Sequence, residues 1–505
     1  MWKGVGMFLV LLLSLWTCFY FNLARMDGDA TEMEAPPDPW AGVECLRWAV
    51  ATTIFGPSHA FWQLLERDAC IVVVGDKKTN DSAWAEWAVL HPERLFYLPF
   101  SLQASLGYAI ADVTPANHFS RKNIGYLFAI QHGAQLIYDF DDDNELKLNA
   151  SVFDLLWLGS NASVPNASGF WRANVSTFSS DHHLFNPYPT FEPSDSDGAA
   201  QHAWPRGFPL EFVLDGGTFN VTIGPTDAPI GVFQSLADVD PDVDALYRMT
   251  RALPLWFDRE DLILRVPEGV FSPWNAQATV FTKDAFWGLV MPISVSGRVA
   301  DIWRSYVTER LMWMAGLSVA FTSPWVEQYR NPHNYFVDYL AERDLYSRSN
   351  ELIGELIRLD VDEAEGLQSA YWRIVERLVE AGFLDKADLK LARHWVYDLD
   401  SMGYTWPTQK RKVARMRAPK QTVLVDHRGH AANERRDRHT PLVEEGGGMK
   451  DTAVCVSGQL RTLNMRPDDP NFPPSLQPMT TRFTAADMHG LTVVSAFYSA
   501  WHVLF

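Results

Sequence analysis

Four carboxylates fall within five residues directly behind an apolar segment, and this juxtaposition constrains the fold more than any other feature. The stretch SRKNIGYLFAIQHGAQLIYDFDDDNE runs from Ser120 to Glu145. Apolar residues at Ile124, Leu127, Phe128, Ile130 and Ala134 lie close to helical spacing, and Gly133 punctuates. Gln135 to Phe140 is short and apolar enough for a buried strand. Asp139, Asp141, Asp142 and Asp143 come straight off it. Carboxylates so close repel one another and are costly to bury unpaired, so they require solvent or a cation. A hard divalent ion takes oxygen ligands, and Mg²⁺ or Mn²⁺ commonly uses one or two carboxylates plus substrate phosphates. Arg121 and Lys122 open the preceding helix, whose free N–H groups offer a further contact to an anion. The segment reads as a metal–diphosphate site at the carboxyl end of a parallel strand, where open α/β sheets place ligands. The bland alternative is a solvated acidic turn.

The chain upstream has the same alternation. Trp48 to Phe55 is a strand candidate, Pro57 to Arg67 a helix, Ala69 to Gly75 a continuous apolar strand and Leu95 to Leu98 a third strand. Strands alternating with helices imply an α/β fold with a mainly parallel sheet flanked by helices. Asp76, just past the second strand, suits hydrogen bonding to a base or ribose. Lys77 and Lys78 either face phosphates or lie in a solvated turn. Further on, Tyr371 to Ala381, stopped by Gly382, and Asp385 to Leu399 read as amphipathic helices closing the domain.

Several stretches carry a family resemblance. Arg121-Lys122-Asn123-x-Gly125, then Ala129, Gly133, an apolar strand and an Asp-x-Asp motif resemble the nucleotide-sugar half of GT-A glycosyltransferases. More closely, RWAVATTIFGP from Arg47, VVVGDKKT from Val72, NHFSRKNIGYLFAIQHGAQLIYDFDDDN from Asn117, FNPYPTF from Phe185, WPRGFPL from Trp204, QSLADVDPDVDALYRMTR from Gln234 and DAFWGLVMPISVSGRVADIWRSYVTERLMW from Asp284 resemble the STELLO family of glycosyltransferases. These are Golgi proteins of plants, with relatives in other eukaryotes. WPRGFPL is also similar, more distantly, to the reversibly glycosylated polypeptides and sugar-nucleotide mutases.

The resemblance implies a GT-A-like nucleotide-diphospho-sugar transferase fold, a nucleoside-diphosphate sugar as donor, Mn²⁺ or Mg²⁺ as cofactor, and a glycan or protein acceptor. The expected nucleotide-sugar contacts are Thr53, Asp76, Arg121, Asp141 and Arg206, and the expected metal ligands are Asp141 and Asp143. Asp142 should point oppositely if extended geometry persists. In the mutases the corresponding Arg accepts a sugar. Here Phe208 replaces a Tyr of that motif, and an Arg206 that contacts phosphate or pairs an acid is the default. Asp242 and Asp244 are candidates for a general base that deprotonates an acceptor hydroxyl. Equally, they read as caps of a following helix.

Composition bounds the remainder. A net charge of −19 disfavours nucleic acid as a partner. Of four Cys none forms a CxxC, which argues against a zinc knuckle. Cys45 and Cys70 flank strand candidates, so a bridge is open to them, with two buried free thiols the favoured reading. Val5 to Phe21 is almost wholly apolar, the length of a short membrane span. An uncleaved anchor with the body in the lumen competes with a secretory signal peptide. Six sequons, at Asn80, Asn149, Asn161, Asn166, Asn174 and Asn220, favour the lumen. The expected organisation is a cytosolic tip and anchor over 1–25, a stem over 26–44 and a transferase domain over 45–406. A flexible basic linker over 407–450 and the start of a possible second domain over 451–505 follow.

Two functions compete on these grounds. One is a single-pass, type II Golgi membrane glycosyltransferase that is metal dependent. The other is a non-catalytic GT-A-fold assembly factor, with polysaccharide synthase subunits as its partners.

Overall fold

Short apolar runs without internal Pro form one end of the large sheet, buried on both faces by flanking helices. The first four strands are β1 (Arg47–Thr52), β2 (Cys70–Val74), β3 (Leu95–Leu98) and β4 (Leu136–Phe140). The computed structural model describes residues 40–408 apart from 149, 159–170, 177–182, 215–218, 224–228 and 360–365, together with Thr422–Val425. The apolar run Val5 to Phe21, the stem before residue 40, Asn149, Asn161, Asn166 and the proposed second domain lie outside the described residues. Among the described residues no helix is long and apolar enough to cross a membrane.

Later strands are β5 (Asn144–Leu146), β6 (Trp171–Ser176), β7 (Pro193–Ser194), β8 (Phe219–Ile223), β9 (Ile230–Asp238), β10 (Trp256–Phe257), β11 (Leu262–Val266), β12 (Ala278–Thr282), β13 (Ser318–Gln328) and β14 (Thr422–Val425). The large sheet runs β14-β8-β6-β11-β13-β9-β12-β4-β1-β2-β3, with β5 paired to β13. β4 is central and lies beside β1, as its composition predicts. The expected parallel pairing runs through β3-β2-β1-β4 and recurs in the pairs β9–β13 and β6–β11. β12 is antiparallel to both β4 and β9, while β9 and β13 are parallel. The sheet is therefore mixed.

Strand alternation divides the core in two. Trp48 and Val50 face one layer, and Ala49 and Ala51 face the other. On the second face lie helices α1 (His59–Leu65), α2 (Asp81–Leu90) and α4 (Ser151–Leu158). The first face carries α3 (Lys122–Gln131) and α6 (Gly297–Ala315), the latter following the short α5 (Ala245–Thr250). A Cβ on Gly125 would fall 2.7 Å from both Val50 and Val74, so the absence of a side chain lets α3 lie directly on β1 and β2. The C-terminal helices are α7 (Tyr335–Ala341), α8 (Arg343–Arg358), α9 (Leu367–Glu380) and α10 (Lys386–Ser401). α9 buries Leu367, Ala370, Tyr371, Ile374, Val375 and Leu378, the single stripe its spacing requires.

One buried ion cluster ties these layers together. Lys122 and Asp139 are fully buried, with Nζ 2.7 Å from Oδ1. Arg304 of α6 reaches the other oxygen of Asp139 at 2.9 Å. α3, β4 and α6 are thus fastened through one carboxylate.

Two expectations are corrected here. Cys45 and Cys70 form a disulfide, with S–S 2.10 Å, rather than remaining free thiols. The parallel register sets Cys70 opposite Trp48, and a bond from Cys45 N to His132 O turns the preceding chain toward it. A sequence separation of 25 residues conceals that proximity. Secondly, Thr422–Val425, inside the segment expected to be a flexible linker, pairs with β8 as an outer strand. Four consecutive residues of that segment, Thr-Val-Leu-Val, have strong strand preference.

Cys70→Ser should abolish a mobility difference between reduced and non-reduced gels and cost about 2–4 kcal/mol in urea unfolding. Asp139→Asn takes the ion-pair partner from buried Arg304 and leaves Lys122 only its longer contact with Asp141. A loss of about 3–5 kcal/mol by the same measurement is expected.

Candidate functional site

β1, β2 and β4 are parallel, so their carboxyl ends share one edge of the sheet. β9 is parallel to β4 through their common antiparallel neighbour β12, and β13 is parallel to β9. The end of β13 therefore arrives at that same edge. There, a cavity of about 400 Å³ opens, a volume typical of small-molecule sites. The first two strands contribute Thr52–Phe55, Asp76 and Lys78 to its wall. Asp141, Asp142 and Asp143 come from β4, and Gln328, Arg330, Asn331 and His333 from β13 and beyond.

The acidic run behaves as a turn. β4 ends at Phe140, so the strand alternation expected to send Asp142 away does not continue, and all three acids line the cavity. Each has different partners. Asp141 lies 3.3 Å from Lys122 Nζ, and a third of its side chain is open to the cavity. Thr53 Oγ1 donates to Asp142 Oδ2, and Ser58 Oγ donates to the Asp142 carbonyl at 2.6 Å. Asp143 accepts from Gln328 Nε2 at 3.1 Å and from Asn144 Nδ2 at 3.0 Å. Burial pushes Asp141 up to about 7 against the pull of Lys122, and the neighbouring carboxylates add to the rise. Burial likewise raises Asp142 and Asp143, opposed by their bonds to Thr53 and Gln328.

The other anticipated residues separate into two groups. Thr53 and Asp76 line the cavity. Asp76 accepts from the backbone N–H groups of Lys77 at 2.7 Å, Asn117 at 2.8 Å and His118 at 3.1 Å, so it also shapes the rim. Arg121 is not in the wall. Its Nε donates to Gln103 Oε1 at 2.7 Å, its Nη1 donates to the Thr114 carbonyl at 2.9 Å, and its guanidinium lies over Phe100. The adjacent Lys122 is the cation that meets the acids. One residue along a helix turns a side chain by about 100°, and sequence spacing did not say which of the two faced inward.

Arg206, Asp242 and Asp244 are joined in a neighbouring buried network. Arg206 pairs with Asp242 and Asp301, both at 2.7 Å, which is the acid-pairing role. Asp242 also accepts from Asn275 Nδ2 at 2.9 Å. Despite burial, Arg206 holds it below the usual carboxylate range. Asp244 caps α5, accepting from Tyr247 N at 2.8 Å, and accepts from Trp204 Nε1 at 2.7 Å. Burial lifts it to about 6. Neither carboxylate lines the cavity.

Sequence reasoning missed Lys122 as the acid-facing cation, together with Gln328, Arg330, Asn331 and His333. The last four lie almost two hundred residues beyond the acidic run, and only the β13 pairing brings them back. Asn80 is an exposed residue at the start of α2, and Asn174 and Asn220 lie on β6 and β8.

No group of three or more His, Cys, Asp or Glu capable of holding a metal ion occurs among the described residues. Those residues therefore build no cage from protein ligands alone. The acid-lined cavity instead suits an ion of the kind that keeps waters and phosphate oxygens and uses only one or two carboxylates.

These features define an α/β protein with a ligand cavity at the carboxyl edge of its parallel strands. A family model described as STELLO glycosyltransferases matches residues 298–420. The probable glycosyltransferases STELLO1 and STELLO2 of Arabidopsis thaliana are each 29% identical to this chain, over 409 and 384 residues. The alignments cover 77% and 73% of this chain, and 49% and 46% of the relatives. The STELLO-type resemblance drawn from the motifs is therefore shown, and the chain spans about half the length of these relatives. Among solved structures, a mycobacterial protein aligns at 9% identity over 63% of this chain and 74% of its own, with a TM-score of 0.28. TarS from S. aureus, in complex with UDP-GlcNAc, aligns at 10% identity over 71% of this chain and 80% of its own, with a TM-score of 0.25. Those scores are too low to carry an argument.

The raised Asp141 gives a signed prediction for metal-free protein. In the unfolded chain this carboxyl ionises near 3.8, whereas in the fold it keeps its proton until about 7. Its cost to stability therefore appears as pH rises from about 4 and is complete above about 7. Asp141→Asn should gain stability relative to the parent at pH 8, and the gain should vanish near pH 4. Denaturant midpoints across that range measure it.

Proposed function

We propose that this chain is a glycosyltransferase that takes its sugar from a nucleoside diphosphate sugar and passes it to a glycan or protein acceptor. The observation that carries this reading is the cavity itself. It joins the ends of β1, β2 and β4 to an acidic turn, in a chain with STELLO-type sequence. In this reading Thr53 and Asp76 would meet the nucleoside, and Asp141 and Asp143 the metal-bound diphosphate. A divalent ion bound there would neutralise charge on the leaving diphosphate. Lys122 holds Asp141 in place and, with Arg304, keeps the turn anchored to the core.

A GT-A-like fold, a Golgi location and a luminal body complete the proposal. The Cys45–Cys70 disulfide supports a luminal site, because such bonds persist in oxidising compartments. Six sequons point the same way. The N-terminal apolar run would serve as the single-pass anchor.

One observation favours the second reading, a non-catalytic factor in the assembly of polysaccharide synthases. Asp242 is committed to Arg206 and Asp244 to capping α5, so neither anticipated base faces the cavity. Binding and turnover therefore need separate measurement. Isothermal titration against a panel of UDP- and GDP-sugars with Mn²⁺ should find a binder. Asp141→Asn and Asp143→Asn should each weaken it at least tenfold, and Asp142→Asn less. Absence of binding across the panel would remove the donor site. Binding without sugar release or transfer would favour the assembly role.

A further inference from the structure

Arg330 stands out among the cavity residues because, among the described residues, its guanidinium makes no ion pair. It follows the end of β13 by two residues and lines the wall with Asp141, Asp142 and Asp143. Its Nε and Nη1 atoms are buried and have no hydrogen-bond partner among the described residues. The nearby acids are engaged elsewhere. Asp143 is held by Gln328 and Asn144, Asp240 by Arg248, and Asp242 by Arg206. Burial lowers the guanidinium to about 10, and Arg248 and Arg298 reinforce that shift while Asp240 and Asp242 oppose it.

Buried guanidinium N–H groups without an acceptor are costly, and a planar fork of N–H donors matches phosphate oxygens. The cavity wall carries three carboxylates and, near Asp143, this guanidinium. A simple anion would meet repulsion from Asp141, Asp142 and Asp143. A diphosphate accompanied by a divalent ion would satisfy both kinds of group at once, with the ion toward the carboxylates and phosphate oxygens toward the arginine.

Resting on the donor reading above, we infer that Arg330 is the residue of this chain that binds the diphosphate of the sugar donor. The role belongs to Arg330 rather than to Arg121, whose guanidinium is already satisfied by Gln103 and Thr114. No covalent step is assigned to it. Arg330 binds the leaving group directly and orients it against the acidic turn.

The test uses the full chain and its Arg330→Gln and Arg330→Lys variants. Each is titrated calorimetrically with UDP and GDP in Mn²⁺, and with uridine and guanosine, which lack phosphates. Arg330→Gln should weaken the bound diphosphate at least tenfold. Arg330→Lys should give an intermediate loss, because charge survives but the fork does not. The nucleoside should bind parent and variants alike. Without ligand, the melting temperature of Arg330→Gln should equal or exceed that of the parent, as expected when a buried charge without an ion pair is removed. Unchanged diphosphate affinity in Arg330→Gln, or an equal loss for the nucleoside, would overturn the inference while leaving the donor site intact. A fall in its melting temperature would assign Arg330 a structural role instead and overturn the inference too. If the parent binds neither diphosphate, the donor reading fails and this inference fails with it.

Discussion

The carboxylate of Asp139 is the point on which the architecture turns. It is fully buried in the central strand and faces Lys122 from one side and Arg304 from the other. Lys122 adds bonds to the carbonyls of Phe140 at 2.7 Å and Ala276 at 3.0 Å. One cation thereby closes the end of β4, the loop before β12 and the start of α3. Buried charges are poor sources of net stability but strong sources of uniqueness when every partner is present. Here the arrangement leaves the acidic turn only one way to leave the sheet.

That exit creates the division of labour among four neighbouring acids. Asp139 is spent on structure, and Asp141, Asp142 and Asp143 reach the cavity with progressively different supports from Lys122, Thr53 and Gln328. The same principle operates in the adjacent loop. Arg206 with Asp242 and Asp301 makes a self-contained network, and the helix cap at Asp244 takes a second carboxylate out of circulation. Acids that look equivalent along the chain thus differ in chemistry because their nearest cations and donors differ. The disulfide does comparable work at the opposite end of β1, where Cys45 and Cys70 hold the starts of two parallel strands together. It needs no participation in the cavity to matter, since the positions of Thr53 and Asp76 depend on the register of those strands.

Much of this was legible in the residues themselves. Continuous apolar runs identified β1 to β4 and amphipathic spacing identified α9 and α10, because burial on one or two faces writes its period directly into the chain. That the acidic run would open onto a cavity was legible for the same local reason, since adjacent carboxylates cannot be buried without compensation. The STELLO-type resemblance was also legible, as order and spacing of motifs survive where contacts cannot be seen.

What only the tertiary structure decided was which side chains meet. The choice of Lys122 over Arg121 depends on the rotation of α3 against the sheet, and the Cys45–Cys70 bond on strand register. The antiparallel insertion of β12 depends on its pairing with β4 and β9, and the placement of Gln328 and Arg330 beside Asp143 on the pairing of β5 with β13. Local sequence sets secondary structure through propensity and periodicity, but charge pairing is settled by distances of a few ångströms between segments far apart in the chain. Such distances exist only once the sheet has closed.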